Sequence, residues 1–203
     1  MQVLKFAVPV MALAMTSGCV LTSTKTETRT YTHTGFDSIT ASSGVNVVLS
    51  QGPYSVVAEA PEGRLDSIEI SQDGNELKLS RKAELTFFGV SGRYVVHVAT
   101  PTVTRIDVSG GADLDADAFT VDAITLSASG GGDLNLTGFK AGTLTATTSG
   151  GGDINISGAC QSATIDASGG GDFSGKHLDC ATAVATASGG GDVEIGATQS
   201  ATG

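Results

Sequence analysis

The pentapeptide Ser129-Gly130-Gly131-Gly132-Asp133 recurs along the second half of the chain at an almost fixed interval. It returns at residues 149–153, 168–172 and 188–192, and a variant form with alanine in place of the third glycine occupies residues 109–113. The five aspartates are 20, 20, 19 and 20 residues apart. A constant period in this range is typical of solenoids, in which each repeat is one coil that buries its apolar face against neighbouring coils.

Apolar and small residues keep a constant position relative to each aspartate. In one coil they are Ile124, Leu126 and Ala128 before Asp133, with Leu134 and Leu136 after it. A spacing of two residues is typical of a strand with one buried face, so each coil is predicted to hold two strands joined by a tight glycine turn and a polar loop. Coils stacked at the strand spacing of about 4.8 Å predict a parallel β-helix over about residues 103–196.

The first half of the chain has the pattern of short strands separated by turn residues. Alternating segments such as 45–49 and 94–98 are divided by turns at 51–53, 61–63 and 73–75, which are rich in glycine, proline and asparagine. No segment of useful length has a helical period. The sequence therefore predicts an all-β chain whose N-terminal strands continue or cap the solenoid.

The N-terminus has the features of an export signal. Lys5 precedes an apolar run, and small residues lead to Cys19. The run is too short to span a bilayer, and the pattern resembles a bacterial lipoprotein signal in which the cysteine carries the lipid, although Thr16 replaces the usual leucine or valine. We expect a signal peptide over residues 1–18, lipidation at Cys19, a flexible tether over 19–34 and one folded domain over 35–203. An ordinary signal peptide with a coincidental cysteine is the alternative.

The charge distribution excludes some partners. From Pro101 onward there are twelve acidic residues against three basic ones, Arg105, Lys140 and Lys176, and the whole chain has a net charge of −10. A nucleic-acid-binding protein needs a basic footprint, so no nucleic-acid partner is expected. Tryptophan is absent, and the sequence offers no stacking platform for bases or sugars.

The repeated aspartates admit two interpretations. In the first, glycine supplies the positive φ of a sharp corner and a side-chain oxygen bonds a backbone N–H that the corner leaves free. In the second, five stacked carboxylates repel one another unless cations bridge them, which would make a weak divalent-cation stripe. The residues concerned are Asp113, Asp133, Asp153, Asp172 and Asp192.

No catalytic constellation is apparent in the sequence. His33, His97 and His177 are scattered and fit no metal-ligand spacing, and no nucleophile elbow is present. The protein is therefore not expected to be an enzyme or to need a cofactor beyond the cation just mentioned. Two glycosylation sequons, at 135–137 and 155–157, lie on predicted strands and are interpreted as chance matches.

The two remaining cysteines fall in one column of adjacent coils. Cys160 and Cys180 each stand twelve residues before the next turn's aspartate, where Val121 and Ala141 precede them. Stacked Cα atoms about 5 Å apart are within the range of a disulfide, and an exported protein meets an oxidising compartment. A bridge in the loop between strands is predicted, with two buried thiols as the alternative.

Four features together carry a family resemblance. They are residues 44–52, 55–60 and 65–68 and the repeated Ser-Gly-Gly-Gly-Asp turns, which are similar to the GIN domain family, also called DUF2807 or auto-transporter adhesin head domain, over about residues 36–196. The resemblance implies a right-handed β-helix on a secreted or lipid-anchored envelope protein, and it favours the outer membrane. It supplies no catalytic residues.

The sequence thus predicts a non-catalytic envelope lipoprotein that acts as an adhesion or interaction module. It is expected to meet the membrane through its N-terminal lipid and to bind an envelope protein or glycan. A glycan-acting envelope enzyme and a structural or stress accessory protein are the alternatives.

Overall fold

The computed structural model describes residues 25–82 and 93–202, with side chains described to residue 197. Within these ranges the chain forms fourteen strands, one 3-10 turn at Leu65–Ser67 and no α-helix, so no helix there could cross a bilayer. The strands of the first half are β1 (Thr26–Tyr31), β2 (Ser38–Ala41), β3 (Asn46–Gln51), β4 (Ser55–Pro61), β5 (Ile68–Asp73), β6 (Glu76–Arg81) and β7 (Val95–Thr100). The prediction of an all-β chain is confirmed.

The second half is built from strands that pair in parallel with the next coil. They are β8 (Arg105–Ser109), β9 (Asp113–Asp117), β10 (Thr120–Ser129), β11 (Asp133–Ser149), β12 (Ile154–Gly169), β13 (Phe173–Gly189) and β14 (Val193–Thr202). Residues at the same position of the repeat lie opposite each other, as Leu134 does with Ile154 and Ile154 with Phe173. This register is that of a parallel β-helix with coils of about 20 residues, which confirms the predicted fold.

The predicted columns of apolar residues line the inside of the coils. Leu114, Leu134, Ile154 and Phe173 are each at most 1% exposed. Together with the columns before each turn they form one continuous core, because every inward side chain stacks on its equivalent in the coil below. Thr104 is an exception: it stands at the position of the repeat that Ile124 occupies, nine residues before the turn aspartate, and it is exposed.

A third inward stretch in each coil was not predicted. Phe119, Phe139 and Leu178 follow the second strand after a corner and are buried at 1% exposure or less. The segment expected to be a polar loop stays hydrogen-bonded to the neighbouring coils, and its register shifts by one residue between Leu136 and Phe139. A bulge of this kind bends a strand while its backbone groups keep their partners in the next coil.

The glycine turns have the conformation that the sequence predicts. The first glycine of each turn has a positive φ, which a side chain would make unfavourable; these are Gly110, Gly130, Gly150, Gly169 and Gly189. The turns therefore stack above one another along one edge of the solenoid.

The N-terminal strands both continue and cap the β-helix, as expected. β2 pairs in parallel with β8, and β3 pairs in parallel with β9, so Ile39 and Val47 extend the inner columns of Ile106 and Leu114. β6 and β7 add a further parallel layer. Antiparallel strands β5 and β4 then close the two faces.

Strand β1 differs from the tether expected over residues 19–34. Thr26–Tyr31 pairs antiparallel along nearly all of β4, from Thr26 opposite Pro61 to Tyr31 opposite Val56. The physical reason is that β4 would otherwise present a row of unpaired backbone groups at the edge of the sheet. Threonine-rich residues with a polar outer face suit this position.

Candidate ligand-binding site

The aspartates of the glycine turns bond the backbone of the next coil. Asp153 Oδ1 accepts a hydrogen bond from the Asp172 N–H at 2.8 Å, and Asp172 Oδ1 accepts one from the Asp192 N–H at 2.8 Å. Asp133 Oδ1 lies 3.4 Å from the Asp153 nitrogen in the same arrangement. The contacts support the turn-forming interpretation of this row, because each carboxylate satisfies a donor that the corner leaves free.

Asp113, the first member of the row, is partly buried beside other carboxylates. Burial, and then the charges of Asp133 and Asp115, raise the pKa of the Asp113 carboxyl above its ordinary value. Residues 25–82 and 93–202 contain no group of three or more His, Cys, Asp or Glu side chains placed to hold a metal ion. The divalent-cation stripe remains a prediction based on the stacking of charges.

Replacing Asp153 separates these two roles. Asp153→Ala removes the acceptor of the Asp172 N–H and is expected to lower the free energy of unfolding by about 1 kcal/mol. Asp153→Asn keeps an Oδ1 acceptor and removes a negative charge from the row, so its stability should equal or exceed that of the wild type. Urea denaturation of the three proteins in a calcium-free buffer measures the differences.

The cation interpretation predicts that calcium stabilises the wild type but not a variant that lacks these charges. Millimolar Ca²⁺ would then raise the Tm of the wild type by mass action but leave that of a variant with asparagine at positions 133, 153 and 172 unchanged. A wild-type Tm that does not respond to Ca²⁺ contradicts the cation stripe.

Outward side chains on the strand that follows each turn form a second ladder. Asp115, Asn135, Asn155, Ser174 and Glu194 lie opposite one another in successive coils. Asn135 Nδ2 donates to Asp115 Oδ1 at 3.1 Å, and Asn155 Nδ2 donates to Asn135 Oδ1 at 3.2 Å. Because a carboxylate only accepts, Asp115 fixes the direction of both amides.

An open cavity of about 240 Å³ lies beside this ladder. It spans β11, β12 and β13, next to the corners where the register shifts. Its polar lining consists of two amides, three hydroxyls and two basic groups, namely Asn135, Asn155, Thr137, Ser157, Ser174, Lys176 and His177. We call this cavity the ladder pocket.

The ladder pocket contains a paired cation. Lys176 Nζ lies 3.1 Å from Glu194 Oε2, and both side chains are more than half exposed, at 59% and 58%. Ser157 lies opposite His177 in the register, but its hydroxyl accepts a hydrogen bond from the Gly138 N–H at 3.3 Å. No hydrogen bond joins Ser157 to His177 in the described part of the chain, so the pocket does not assemble a nucleophile and base.

A larger open cavity, of about 770 Å³, lies at the N-terminal cap. Four of the charged groups that line it are paired with each other: Arg29 Nη1 lies 2.9 Å from Asp66 Oδ1, and Lys82 Nζ lies 3.4 Å from Glu69 Oε1. These four charged side chains already form ion pairs within the cap, so we consider the ladder pocket the better candidate site.

The other predicted site residues are distributed as follows. Cys19 lies outside the described residues. His33 stacks with Tyr31, with ring centroids 6.2 Å apart, and His97 Nε2 lies 3.8 Å from Glu59 Oε2. Residues 135–137 and 155–157 were interpreted from the sequence only as chance sequons. The signal that could have identified the ladder is an asparagine two residues after the turn aspartate in consecutive coils.

Cys160 and Cys180 lie opposite each other on β12 and β13, with Val121 and Ala141 in the same column. Their Cα atoms are 4.4 Å apart, and the structure joins their sulfur atoms in a disulfide. The pair lies within paired strands rather than in the loop that was expected, because the coil has a third hydrogen-bonded stretch at this point. Cys180 is fully buried.

These features define a class: a parallel β-helix with polar ladders on its outside. Residues 35–203 match the family described as "putative auto-transporter adhesin, head GIN domain", DUF2807. The chain belongs to this family. None of the curated proteins searched matches the chain.

Solved structures with the same fold come from Bacteroides and Parabacteroides species. A protein of Bacteroides fragilis described as a putative adhesin has a TM-score of 0.79 and 24% identity, covering 88% of this chain and 84% of its own. A protein of Parabacteroides merdae with the same description has a TM-score of 0.62 and 16% identity, covering 85% and 82%. A putative lipid binding protein of Parabacteroides distasonis has a TM-score of 0.57 and 11% identity, covering 89% and 98%. At these identities the likeness extends to the fold alone.

Proposed function

We propose that the protein is a non-catalytic, lipid-anchored protein of the cell envelope whose β-helix acts as an adhesion module. Membership of a family described as adhesin heads supports the adhesion part of this proposal. The β-helix is a rigid support because every coil is hydrogen-bonded to its neighbours over most of its length. A rigid support holds surface groups in fixed positions for a partner.

The observation that carries the proposal is the ladder pocket. Its amides are oriented by Asp115, and one N–H of each amide and the Oδ1 of Asn155 have no protein partner among the described hydrogen bonds. Exposed amide groups bind a partner through hydrogen bonds and do not react with it. The Ser157 hydroxyl bonds the Gly138 N–H, and no described hydrogen bond joins it to His177, which favours binding over hydrolysis at this site.

The lipid anchor is tested by replacing Cys19. Cys19→Ala is expected to leave the protein without lipid, so that it no longer labels with palmitate and moves from the detergent phase to the aqueous phase. The wild type should label and partition into detergent. Ser23→Ala, four residues further on, serves as the matched control and should behave as the wild type. Equal partitioning of the wild type and Cys19→Ala contradicts the anchor.

Adhesion is tested with lipid-coated beads that carry the full-length lipoprotein. The proposal predicts that these beads bind envelope fragments or polysaccharide of the producing bacterium several-fold more than beads without protein. Binding at the level of bare beads contradicts an adhesion role. The same preparation should show no hydrolysis of the bound polysaccharide, which distinguishes the module from a glycan-acting enzyme.

A further inference from the structure

We infer that the ladder pocket binds one neutral sugar unit of a polysaccharide through the amides of Asn135 and Asn155 and the Lys176–Glu194 pair. The inference deepens the proposed function and rests on it. Three properties of the pocket carry it: its hydrogen-bonding groups, its charge and its size.

The pocket offers donors and acceptors side by side. Each amide uses one of its two N–H groups within the ladder, and Asn155 Oδ1 is a free acceptor at the end of the described amide chain. Lys176 Nζ has further N–H groups beyond the one directed at Glu194, whose carboxylate accepts. A hydroxyl group both donates and accepts, so adjacent sugar hydroxyls match such a surface.

The charge of the pocket favours a neutral ligand. Lys176 is paired with Glu194 at 3.1 Å, and Asp115 lies at the other end of the ladder. The surrounding coils are strongly acidic, since the chain from Pro101 onward has twelve acidic residues against three basic ones. A uronate, a phosphate or an anionic lipid headgroup would be repelled by this field.

The size of the pocket limits the ligand to a small unit. Its volume of about 240 Å³ is below the ~300–1,000 Å³ of sites that enclose drug-sized molecules. No Phe, Tyr or Trp side chain lines it, and its apolar members Leu136 and Ile156 are at most 4% exposed. Binding therefore depends on polar contacts in water, which gives a weak single site, and adhesion follows from many copies on one surface.

The experiment measures binding of free methyl glycosides to the full-length lipoprotein in detergent by saturation-transfer NMR. Neutral methyl hexosides are the probes, and the matching methyl uronosides and hexose phosphates are the charged counterparts. We expect the neutral sugars to bind at least tenfold more tightly than either charged form. Tighter binding of a charged form overturns the inference.

Two variants place the binding in the pocket. Asn155→Leu removes the amide but keeps the branching and the number of heavy atoms of the side chain, and Lys176→Met removes the cation; each is expected to weaken neutral-sugar binding at least tenfold. Thr164→Val changes an exposed residue of β12 outside the pocket and is the matched control. Equal Tm values show that all three variants are folded. Sugar binding that the pocket variants leave unchanged overturns the inference.

The outcomes distinguish this inference from the proposed function. Beads that bind envelope material while the protein binds no neutral sugar leave adhesion standing and overturn the sugar site, with a protein partner as the remaining occupant. Beads that bind nothing overturn adhesion itself. Sugar binding lost in Asn155→Leu and kept in Thr164→Val supports the inference.

Discussion

Gly171→Ala is expected to lower the free energy of unfolding by at least about 3 kcal/mol, at the upper end of the cost of overpacking a core. Gly171 is the buried third glycine of its turn. A Cβ atom there would overlap the carbonyl oxygen of Gly152 in the coil below and would lie 3.1 Å from the Gly152 carbonyl carbon. Both are backbone atoms, so the clash is relieved only by separating the stacked coils. Urea denaturation followed by circular dichroism measures the loss.

The neighbouring glycine supplies the matched control. A Cβ atom on Gly170 would lie 3.5 Å from the Gly150 carbonyl oxygen, an ordinary van der Waals contact, and the backbone there does not require a positive φ. Gly170→Ala is therefore expected to change the stability by less than about 1 kcal/mol and in the stabilising direction. Equal effects at the two positions would contradict the close stacking of the coils.

Loss of the Cys160–Cys180 disulfide is expected to cost about 3 kcal/mol, the chain-entropy value for a closed loop of about 20 residues. The test is a variant with alanine at both positions, which leaves no lone thiol in the buried column. Its denaturation midpoint should lie below that of the wild type and should not change with reductant. The wild-type midpoint should fall towards that of the variant when reductant is added.

Thiol titration provides the direct check on the bridge. The unfolded, unreduced wild type should show no free thiol other than any at Cys19. Two additional free thiols would mean that the pair is reduced and that no covalent bond joins β12 to β13.

The repeat allowed most of the fold to be predicted. Because parallel coils place equivalent residues opposite one another, a spacing counted from Asp133 locates Leu134 over Leu114 without any other information. The third inward stretch was missed because Phe139 stands six residues after Asp133, which breaks the period of two that Leu134 and Leu136 set within the coil. Strand β1 was missed because its pairing depends on the free edge of β4, which is distant in sequence.

The ladder pocket could be predicted only in part. The stacking of Asn135 on Asn155 follows from the same counting as the apolar columns. The approach of Lys176 to Glu194 does not, because Lys176 sits at the corner where β13 is out of register with both of its neighbours. Asp113 is a similar case, since its raised pKa arises from burial that the charge pattern does not reveal.

The most direct test of adhesion through the ladder pocket compares lipid-coated beads that bear one of four full-length proteins at equal density. The four proteins are the wild type, Asn155→Leu, Lys176→Met and Thr164→Val. We expect wild-type and Thr164→Val beads to bind envelope polysaccharide equally. Beads with either pocket variant should lose most of that binding, because many weak sites act together and each is weakened. Wild-type beads that bind no more than bare beads, or pocket variants that bind as well as the wild type, would contradict adhesion through the ladder pocket.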